Sequence, residues 1–440
     1  MMQTHSPQQG SNYLGISGKS INRPSDSTGY ESKVPVSGEM AGKMKKYEMQ
    51  RMAGSLLYRP ELQAHEQHRT CWCHRGVAKA SDSVAIVRNT SGESARMQGV
   101  TTCKSVWTCP ICSFRICNVR QAELSEAVVA WSKQGGSVFL MTLTFPHELG
   151  MPLADLLPKF TRAKALLKNS KTYKRILAKG VRKGSTTSLE VTLGQHGWHP
   201  HQHDLVFAIP EAFGETSEDE KGKLRSREID ELKEAWYMAL RKAGLCEQSQ
   251  KSDVLAHGLD VRGGQYAAEY AAKFGKEQKW GLSREVTMHA AKVGSDQKGA
   301  HPFQLLSWAM AGDGLAADQF REYAAAFEGK RMLTWSRGLK KALLDQDEIT
   351  DEEAAEMDLP EEAVVGRIDS TGLSILQSRR LVGNFLAFVA EYCTDAITAQ
   401  EEIDEYIAWA KTVDRRARGT VKVKMWSRGF MHVDRETEPA

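Results

Sequence analysis

The sequence of 440 residues has no long hydrophobic run, which argues against a membrane-spanning protein. The polar N-terminus, MMQTHSPQQGSNYLGISGKSINRPSDSTGY, also lacks the apolar segment of a signal peptide. Its SGKS motif does not complete a phosphate-binding loop, because Tyr13 stands where that loop requires a glycine. We therefore expect a cytoplasmic protein without a P-loop nucleotide site.

Charge of one sign is not in large excess either. The net charge is +4, from 59 Lys and Arg against 55 Asp and Glu, which permits a polyanionic partner without requiring one. Hydrophobic residues make up 41% and charged residues 26%, as in globular proteins with a sizeable core. In a cytoplasmic chain, the eight cysteines favour metal ligands or buried thiols over disulfides.

The composition changes along the chain and predicts four segments. Residues 1–45 are rich in Ser, Gly, Asn and Gln, which predicts a disordered tail. Residues 46–120 carry most of the cysteines, and residues 296–440 are mainly helical in pattern and more acidic. Between them, residues 121–295 mix short β-type runs with helical segments. This mixture predicts an α+β domain with an antiparallel sheet flanked by helices.

Alternate histidines occupy a predicted strand after a turn. His199, His201 and His203 stand at every second position and therefore project from one face of the strand. A turn over residues 194–197 would place Glu190, from the preceding strand, opposite His201. Two imidazoles and a carboxylate suit Mg²⁺ or Mn²⁺, and imidazole also binds Zn²⁺. We predict that two of these imidazoles and Glu190 form a metal site rather than a surface run.

Two tyrosines and a lysine share one face of a predicted helix. Tyr266, Tyr270 and Lys273 are spaced i, i+4 and i+7 in the segment RGGQYAAEYAAKFGKE. Tyrosines in such a stripe are usually core residues. Beside a metal site, however, a tyrosine hydroxyl is a competent nucleophile, and Lys273 could stabilise the phenolate. Glu269 points about 100° away from Tyr270 and is the weaker candidate for a second catalytic role.

Three ordered segments resemble the motifs of HUH endonucleases, most closely those of rolling-circle plasmid replication initiators: FLMTLTFPH (139–147), WHPHQHDLVF (198–207) and YAAEYAAKFG (266–275). They cover roughly the middle third of the chain. The resemblance implies an HUH palm, in which His201 and His203 bind the metal and Tyr270 is the nucleophile. Many plasmid initiators have a glutamate four residues before that tyrosine. This chain has Tyr266 there, as in phage initiators with paired tyrosines.

The function that this resemblance implies is metal-dependent nicking and rejoining of one DNA strand to start plasmid rolling-circle replication. Tyr270 would retain the 5′ end as a phosphotyrosine and release a 3′-OH. The implied partners are origin DNA, single-stranded or hairpin, a host DNA polymerase and a host helicase, since no helicase motif is visible. Relaxases and transposases share this chemistry and stay as alternatives. The alternative of another class is a non-catalytic, zinc-dependent DNA-binding regulator.

The cysteines before the first motif are dense enough to indicate a structural Zn²⁺ site. CWCH (71–74) is followed by one further cysteine and then by CPIC (109–112). The predicted ligands are Cys71 or Cys73, Cys103, Cys109 and Cys112. Whether His74 completes the set stays open. Plasmid initiators carry a similar cluster at this place, which supports the position of an N-terminal zinc module.

Basic side chains are concentrated at 159–183, between the first and second motifs. Such a run is either a solvated helix face or a surface that neutralises DNA phosphates, and both interpretations stay open. The residues proposed to contact DNA are Lys164, Lys168, Lys171, Lys174 and Arg175. A second basic stretch at 330–344 contains Trp335, which is expected to be available for stacking on an unpaired base.

Overall fold

The computed structural model describes residues 38–89, 94–274, 299–357, 362–395 and 397–414, and two further strands within 422–434. The described residues up to 414 belong to one compact unit, and the strand pair belongs to another. Residues 1–37 of the predicted disordered tail lie outside the described residues. A helix begins at Gly38, so residues 38–45 of that predicted tail are helical. The predicted boundary between residues 295 and 296 also lies outside the described residues.

The described elements alternate between helices and strands along most of the chain. The helices are α1 (Gly38–Leu57), α2 (Pro110–Lys133), α3 (Leu153–Asn169), α4 (Lys171–Ile176), α5 (Arg227–Ala243), α6 (Lys251–His257), α7 (Gly264–Lys273), α8 (Pro302–Met310), α9 (Gly314–Phe327), α10 (Leu339–Leu344), α11 (Asp351–Ala354), α12 (Ser370–Ser378), α13 (Val382–Tyr392) and α14 (Ala399–Thr412). The strands are β1 (Val84–Asn89), β2 (Ala95–Gln98), β3 (Ser137–Leu143), β4 (Arg182–Gly194), β5 (Gly197–Ala208), β6 (Ser217–Glu218), β7 (Leu224–Arg225), β8 (Leu259–Arg262), β9 (Leu333–Trp335), β10 (Glu362–Ile368), β11 (Lys422–Trp426) and β12 (Gly429–Asp434).

A five-stranded antiparallel sheet, in the order β8-β3-β5-β4-β9, is the central sheet of the larger unit. The short β-type runs predicted in the middle region include β3, β4 and β5, and helices cover the sheet. The predicted α+β class with an antiparallel sheet flanked by helices is therefore confirmed. The edge strand β9 comes from the C-terminal region, whose pattern is mainly helical.

The hairpin of β4 and β5 turns through only two residues and fixes the register of the site. Gly197 begins β5 with a φ of +87°, a conformation that favours glycine. Glu190 then pairs with His201, as predicted. Pro200 pairs only with β4. The neighbouring strand β3 ends at Leu143, which pairs with Gln202, so β3 does not reach Pro200. The first part of β5 is therefore an edge, and proline is tolerated there.

Helices cover both faces of the central sheet. On the face that carries His203, α7 places the ring of Tyr270 4.9 Å from the imidazole. On the other face, α3 and α5 contribute Phe160 and Trp236, which are fully buried and pack at a centroid distance of 6.1 Å. Burying side chains of this kind stabilises the fold by about 2–3 kcal/mol each. The side chain of His203 therefore projects from one face of a sheet whose other face is packed against α3 and α5.

A second antiparallel sheet, β10-β1-β2, joins distant parts of the chain. β1 (VAIVRN) is buried over its first four residues and pairs with β10 from Val84↔Ile368 to Asn89↔Glu362. The cysteine-rich segment and the C-terminal region therefore share one sheet. No helix in the described part of the chain combines the length and apolar character that a bilayer crossing requires.

Candidate active site

Glu190, His201 and His203 form one compact cluster on the central sheet. Nε2 of His201 lies 3.4 Å from Oε2 of Glu190, and Nε2 of His203 lies 3.7 Å from the same oxygen. One ligand atom of each residue lies within 4.8 Å of the others. The hairpin register and the two-residue period of β5 produce this convergence.

The second ring nitrogen of each histidine is occupied by a neighbour. Nδ1 of His201 lies 3.1 Å from the backbone oxygen of His199, and Nδ1 of His203 is hydrogen-bonded to Oγ1 of Thr142 at 3.0 Å. When Nδ1–H donates to an oxygen, the lone pair of Nε2 is left for a metal ion. These contacts orient both Nε2 atoms toward Glu190.

The electrostatics of the cluster favour one carboxylate beside neutral imidazole. Burial raises the pKa of Glu190, but the charges of His203 and His201 and hydrogen bonds from His201 and Tyr270 outweigh it and lower the pKa to about 2. Burial is the main cause that lowers the pKa of His203. A charged carboxylate and a neutral imidazole are the protonation states that ligate a divalent cation.

The residues fit a divalent ion by chemistry and by spacing. Two ligands about 2.1 Å from one ion lie roughly 3.0–3.4 Å apart for angles between 90° and 110°. The distances from Oε2 of Glu190 to the two Nε2 atoms are close to that range. Two imidazoles and one carboxylate also leave coordination positions for substrate oxygen or water. The set does not by itself select one metal.

Tyr270 is the tyrosine that the structure brings to this cluster. Its hydroxyl donates to Oε1 of Glu190 at 2.7 Å, so the two oxygens of the carboxylate face different partners. Helix α7 is held in place because Ala267 and Ala271 are buried and the side chain of Gln121 donates to the carbonyl of Ala272. A phenol is thereby fixed beside the candidate metal ligands.

Tyr266 and Lys273 lie elsewhere on α7. The ring of Tyr266 packs on Gly222, where no space is left for a β-carbon, and the guanidinium of Arg262 lies 5.2 Å from the ring centroid. Lys273 forms a 2.8 Å ion pair with Glu269. Of the three residues predicted to share a helix face, only Tyr270 has a hydrogen bond to the histidine–glutamate cluster.

Neighbouring residues that the sequence pattern did not single out complete the surroundings. The ring of His199 stacks on that of His147 at a centroid distance of 4.6 Å and hydrogen-bonds to Thr144. His199 therefore projects from the predicted face without joining Glu190. Thr142 and His147 both lie within the segment FLMTLTFPH, and pairing β3 with β5 in register could have identified Thr142.

Four cysteines form a second candidate metal site, in the N-terminal part of the unit. The Sγ atom of Cys73 lies 3.7 Å from that of Cys112 and 3.6 Å from that of Cys109, and Sγ of Cys103 lies 3.6 Å from that of Cys112. Four sulfurs at about 2.3 Å from a tetrahedral Zn²⁺ would be roughly 3.8 Å apart. The four buried thiols thus have the chemistry and spacing of a closed zinc site.

The pKa shifts of these thiols are consistent with a cation bound between them. Hydrogen bonds from Cys103, Cys109 and Cys73 lower the pKa of Cys112, whereas burial raises the pKa of Cys109. Close, buried thiols do not lose several protons without a compensating positive charge. A divalent ion would supply that charge, so this buried group could hold zinc.

The structure also separates Cys73 from Cys71 and His74. The thiol of Cys71 donates to the carbonyl of Gly54 at 3.3 Å, outside the four-cysteine group. His74 is buried with a φ of +57°, and its Nδ1 has no hydrogen-bond partner among the described residues. Cys73 is therefore the member of the predicted pair that lies with the other three cysteines.

The basic residues of α3 and α4 differ in their surroundings. Nζ of Lys168 lies 3.5 Å from Oδ2 of the fully buried Asp204. Burial lowers the pKa of Lys164 to about 8, and the charge of Asp204 opposes that shift. Arg175 forms an ion pair with Glu231. Lys171 and Lys174 are exposed.

One sequence expectation about DNA contacts is wrong. Trp335 lies in β9 and is only 8% exposed, because this short strand pairs with β4 from Thr186↔Trp335 to Ser188↔Leu333. Its ring is part of the core and is not available to stack on an unpaired base.

Comparison with known proteins gives two relatives, both from Streptomyces. A protein named "Protein rep" from Streptomyces lividans is 28% identical over 334 residues, which cover 63% of this chain and 71% of the relative. A "Neomycin resistance protein" from Streptomyces cyanogenus is 30% identical over 169 residues, which cover 33% of this chain and 38% of the relative. No protein-family model and no solved structure matches the chain.

Proposed function

We propose that this chain is a Rep-type replication protein that nicks one strand of DNA through a covalent tyrosine intermediate and rejoins it. The name of the Streptomyces lividans relative supports the replication role. The name of the second relative is not carried over, because that match covers only a third of this chain. Plasmid rolling-circle replication and an HUH palm are the finer parts of the proposal, and they rest on the three ordered motifs.

The observation that carries the proposal is the 2.7 Å hydrogen bond from the Tyr270 hydroxyl to Glu190, next to His201 and His203. In the proposed step, the phenol oxygen bonds to the scissile phosphorus and the bond from phosphorus to the 3′ oxygen breaks. The hydrogen bond to Glu190 orients the phenol, its proton passes to water, and the departing 3′ oxygen takes a proton from water. A divalent cation at the histidines would polarise the phosphate oxygens.

In the second half of the cycle, the 3′-OH of a strand attacks the phosphotyrosine and restores the DNA. Tyr266 is the residue proposed to release or pass on the strand, with Lys273 as a cation near a phenolate. Lys171 and Lys174, on the exposed side of α4, are the members of the basic run best placed to meet phosphates. A host polymerase and helicase would extend the 3′-OH and separate the strands.

The experiment that tests this function is covalent capture. The purified chain is incubated with Mn²⁺ and single-stranded oligonucleotides that tile a candidate origin, and adducts are separated on denaturing gels. We expect an adduct of protein and DNA whose formation requires the divalent ion. Chelation with EDTA should suppress it. A non-catalytic DNA-binding regulator would bind the oligonucleotides without forming an adduct, and relaxases or transposases would differ in the DNA that they cut.

A further inference from the structure

Three arginines from distant parts of the chain converge near the four cysteines. Arg51 lies on α1, Arg75 lies two residues after Cys73, and Arg380 lies between α12 and α13. The guanidinium of Arg51 donates to the carbonyl of Gln377, and the side chain of Gln377 donates to the carbonyl of the residue before Arg75. These bonds hold the three segments together. We call Arg51, Arg75 and Arg380 the arginine cluster.

The charges in this cluster act on one another. Burial and then the positive charges of Arg380 and Arg75 lower the pKa of Arg51 to about 10, while the charge of Glu48 acts in the opposite direction. Arg75 and Arg380 are exposed. Like charges held together destabilise the fold unless an anion compensates them. The cluster therefore has the electrostatic character of an anion site.

The backbone at Arg380 adds a second cost. Its φ of +59° lies in the left-handed region, which costs a residue with a β-carbon about 1 kcal/mol. Among the described residues, no carboxylate lies within ion-pair distance of Arg75 or Arg380. Some other exposed arginines do have such partners, for example Arg225 with Asp219. The left-handed residue ends helix α12, because the N–H groups of Arg380 and Leu381 donate to the carbonyls of Gln377 and Leu376. The unbalanced positive charge is therefore the feature that indicates an anion site.

We propose that the arginine cluster binds backbone phosphates of DNA. Guanidinium groups match phosphate geometry, stay charged and form paired hydrogen bonds to its oxygens. Contacts of this kind position a nucleic acid without reading its sequence. The identity of the polyanion rests on the proposed replication function. The phosphates belong either to duplex DNA or to a single strand, and the salt dependence of binding distinguishes the two.

The test uses the full-length double variant Arg75→Ala/Arg380→Ala. Both side chains are exposed, and Arg51, which holds Gln377, is left in place. Binding of a fluorescent duplex of unrelated sequence and of a matching single strand is measured by anisotropy against NaCl concentration. Loss of two phosphate contacts should reduce the slope of log K against log salt by about 1.8 for duplex or about 1.4 for a single strand.

The control is Arg225→Ala/Arg227→Ala, which removes the same charge from two exposed arginines that pair with Asp219 and Glu231. This variant should leave the slope unchanged. Arg75→Lys/Arg380→Lys keeps the charge and should retain most of the slope even if the alanine variant is less stable. Slopes for both DNA forms that equal the wild-type values in the alanine variant would overturn the proposal.

Failure of this proposal and failure of the proposed nickase are distinguishable. Adduct formation reports the chemistry at Tyr270, whereas the salt slope reports the arginine cluster. A reduced slope without any adduct would support the cluster and remove the nicking function. An adduct with an unchanged slope would support nicking and remove the cluster.

Discussion

The hydroxyl of Tyr270 and the carboxylate of Glu190 are joined by a 2.7 Å hydrogen bond, while the other carboxylate oxygen faces two histidines. Glu190 therefore couples helix α7 to the hairpin of β4 and β5. The proposed nucleophile and the candidate metal ligands share one group, so substitutions on either side of Glu190 can separate metal binding from attack.

The histidine pair should be essential for chemistry and dispensable for DNA binding. His201→Ala and His203→Ala each remove an imidazole that faces Glu190. We expect each variant to lose detectable adduct formation while it still binds origin duplex, because a divalent ion held there would act on the phosphate and not on recognition. Glu190→Ala should weaken metal-dependent adduct formation less than either histidine substitution. Full cleavage by the double histidine variant would remove the site from the proposal.

The hydroxyl of Thr142 should tune metal affinity through His203. Thr142→Val removes the 3.0 Å contact to Nδ1, and loss of such a partner typically weakens metal binding about 10–100-fold. Thr142→Ser keeps a hydroxyl and is the matched control. Calorimetric titration with Mn²⁺ measures both. Equal affinities for the valine and serine variants would contradict the role of this contact.

The two cysteines of CWC should behave differently. Cys73→Ser removes a member of the buried four-sulfur group, whereas Cys71→Ser removes a thiol that bonds to Gly54. Because zinc binding in such sites supplies folding energy, Cys73→Ser and Cys109→Ser/Cys112→Ser should lose bound zinc and melt at lower temperature. Cys71→Ser should keep its zinc. Atomic absorption and thermal melting decide the matter, and unchanged zinc in Cys109→Ser/Cys112→Ser would be incompatible with this ligand set.

The two tyrosines should separate initiation from release. Tyr270→Phe removes the hydroxyl that bonds to Glu190 and should form no adduct. Tyr266→Phe keeps the hydroxyl of Tyr270, so this variant should still nick DNA but fail to release unit-length circles. Gel analysis of adducts and of circular products from an origin plasmid measures both steps. Normal circle release by Tyr266→Phe would exclude the paired-tyrosine mechanism.

His301 should contribute to acid sensitivity. Burial lowers its pKa to about 4 against the opposing charge of Glu190, and its Nδ1 accepts a hydrogen bond from the backbone of Phe303. Between pH 6.5 and 4 the unfolded chain binds a proton that the folded chain does not, so stability falls as pH falls. His301→Asn keeps a capping acceptor and should lose about 2 kcal/mol less between pH 7 and pH 5 in urea unfolding. An identical loss in both proteins would show that His301 does not titrate on unfolding.

The sequence determines the local part of the site more fully than its tertiary part. A period of two along β5 and a short turn were sufficient to pair Glu190 with His201. The contact of Tyr270 depends on how α7 packs on the sheet, and only the order of the motifs indicated it. Cys71 and Cys73 differ by two positions, and the 3₁₀ turn at Arg69–Trp72 decides which thiol meets the others.

Local sequence patterns also could not predict strands that pair with residues far away in the chain. β9 contains only Leu333–Trp335, too short a run to show alternation, and its burial follows from pairing with β4. The predicted exposure of Trp335 failed for this reason. The grouping of Arg51, Arg75 and Arg380 likewise depends on segments far apart in the chain.

The pairing of β1 with β10 also has a consequence for protein synthesis. The apolar strand VAIV leaves the ribosome before the central sheet, but its partner at Glu362–Ile368 follows only after the whole central sheet has been made. At about 5–20 residues per second this interval lasts on the order of tens of seconds. Until then one edge of β1 has no native partner, and such an edge can pair with other nascent chains. Slow translation of the C-terminal region would therefore lower the yield of folded protein by aggregation.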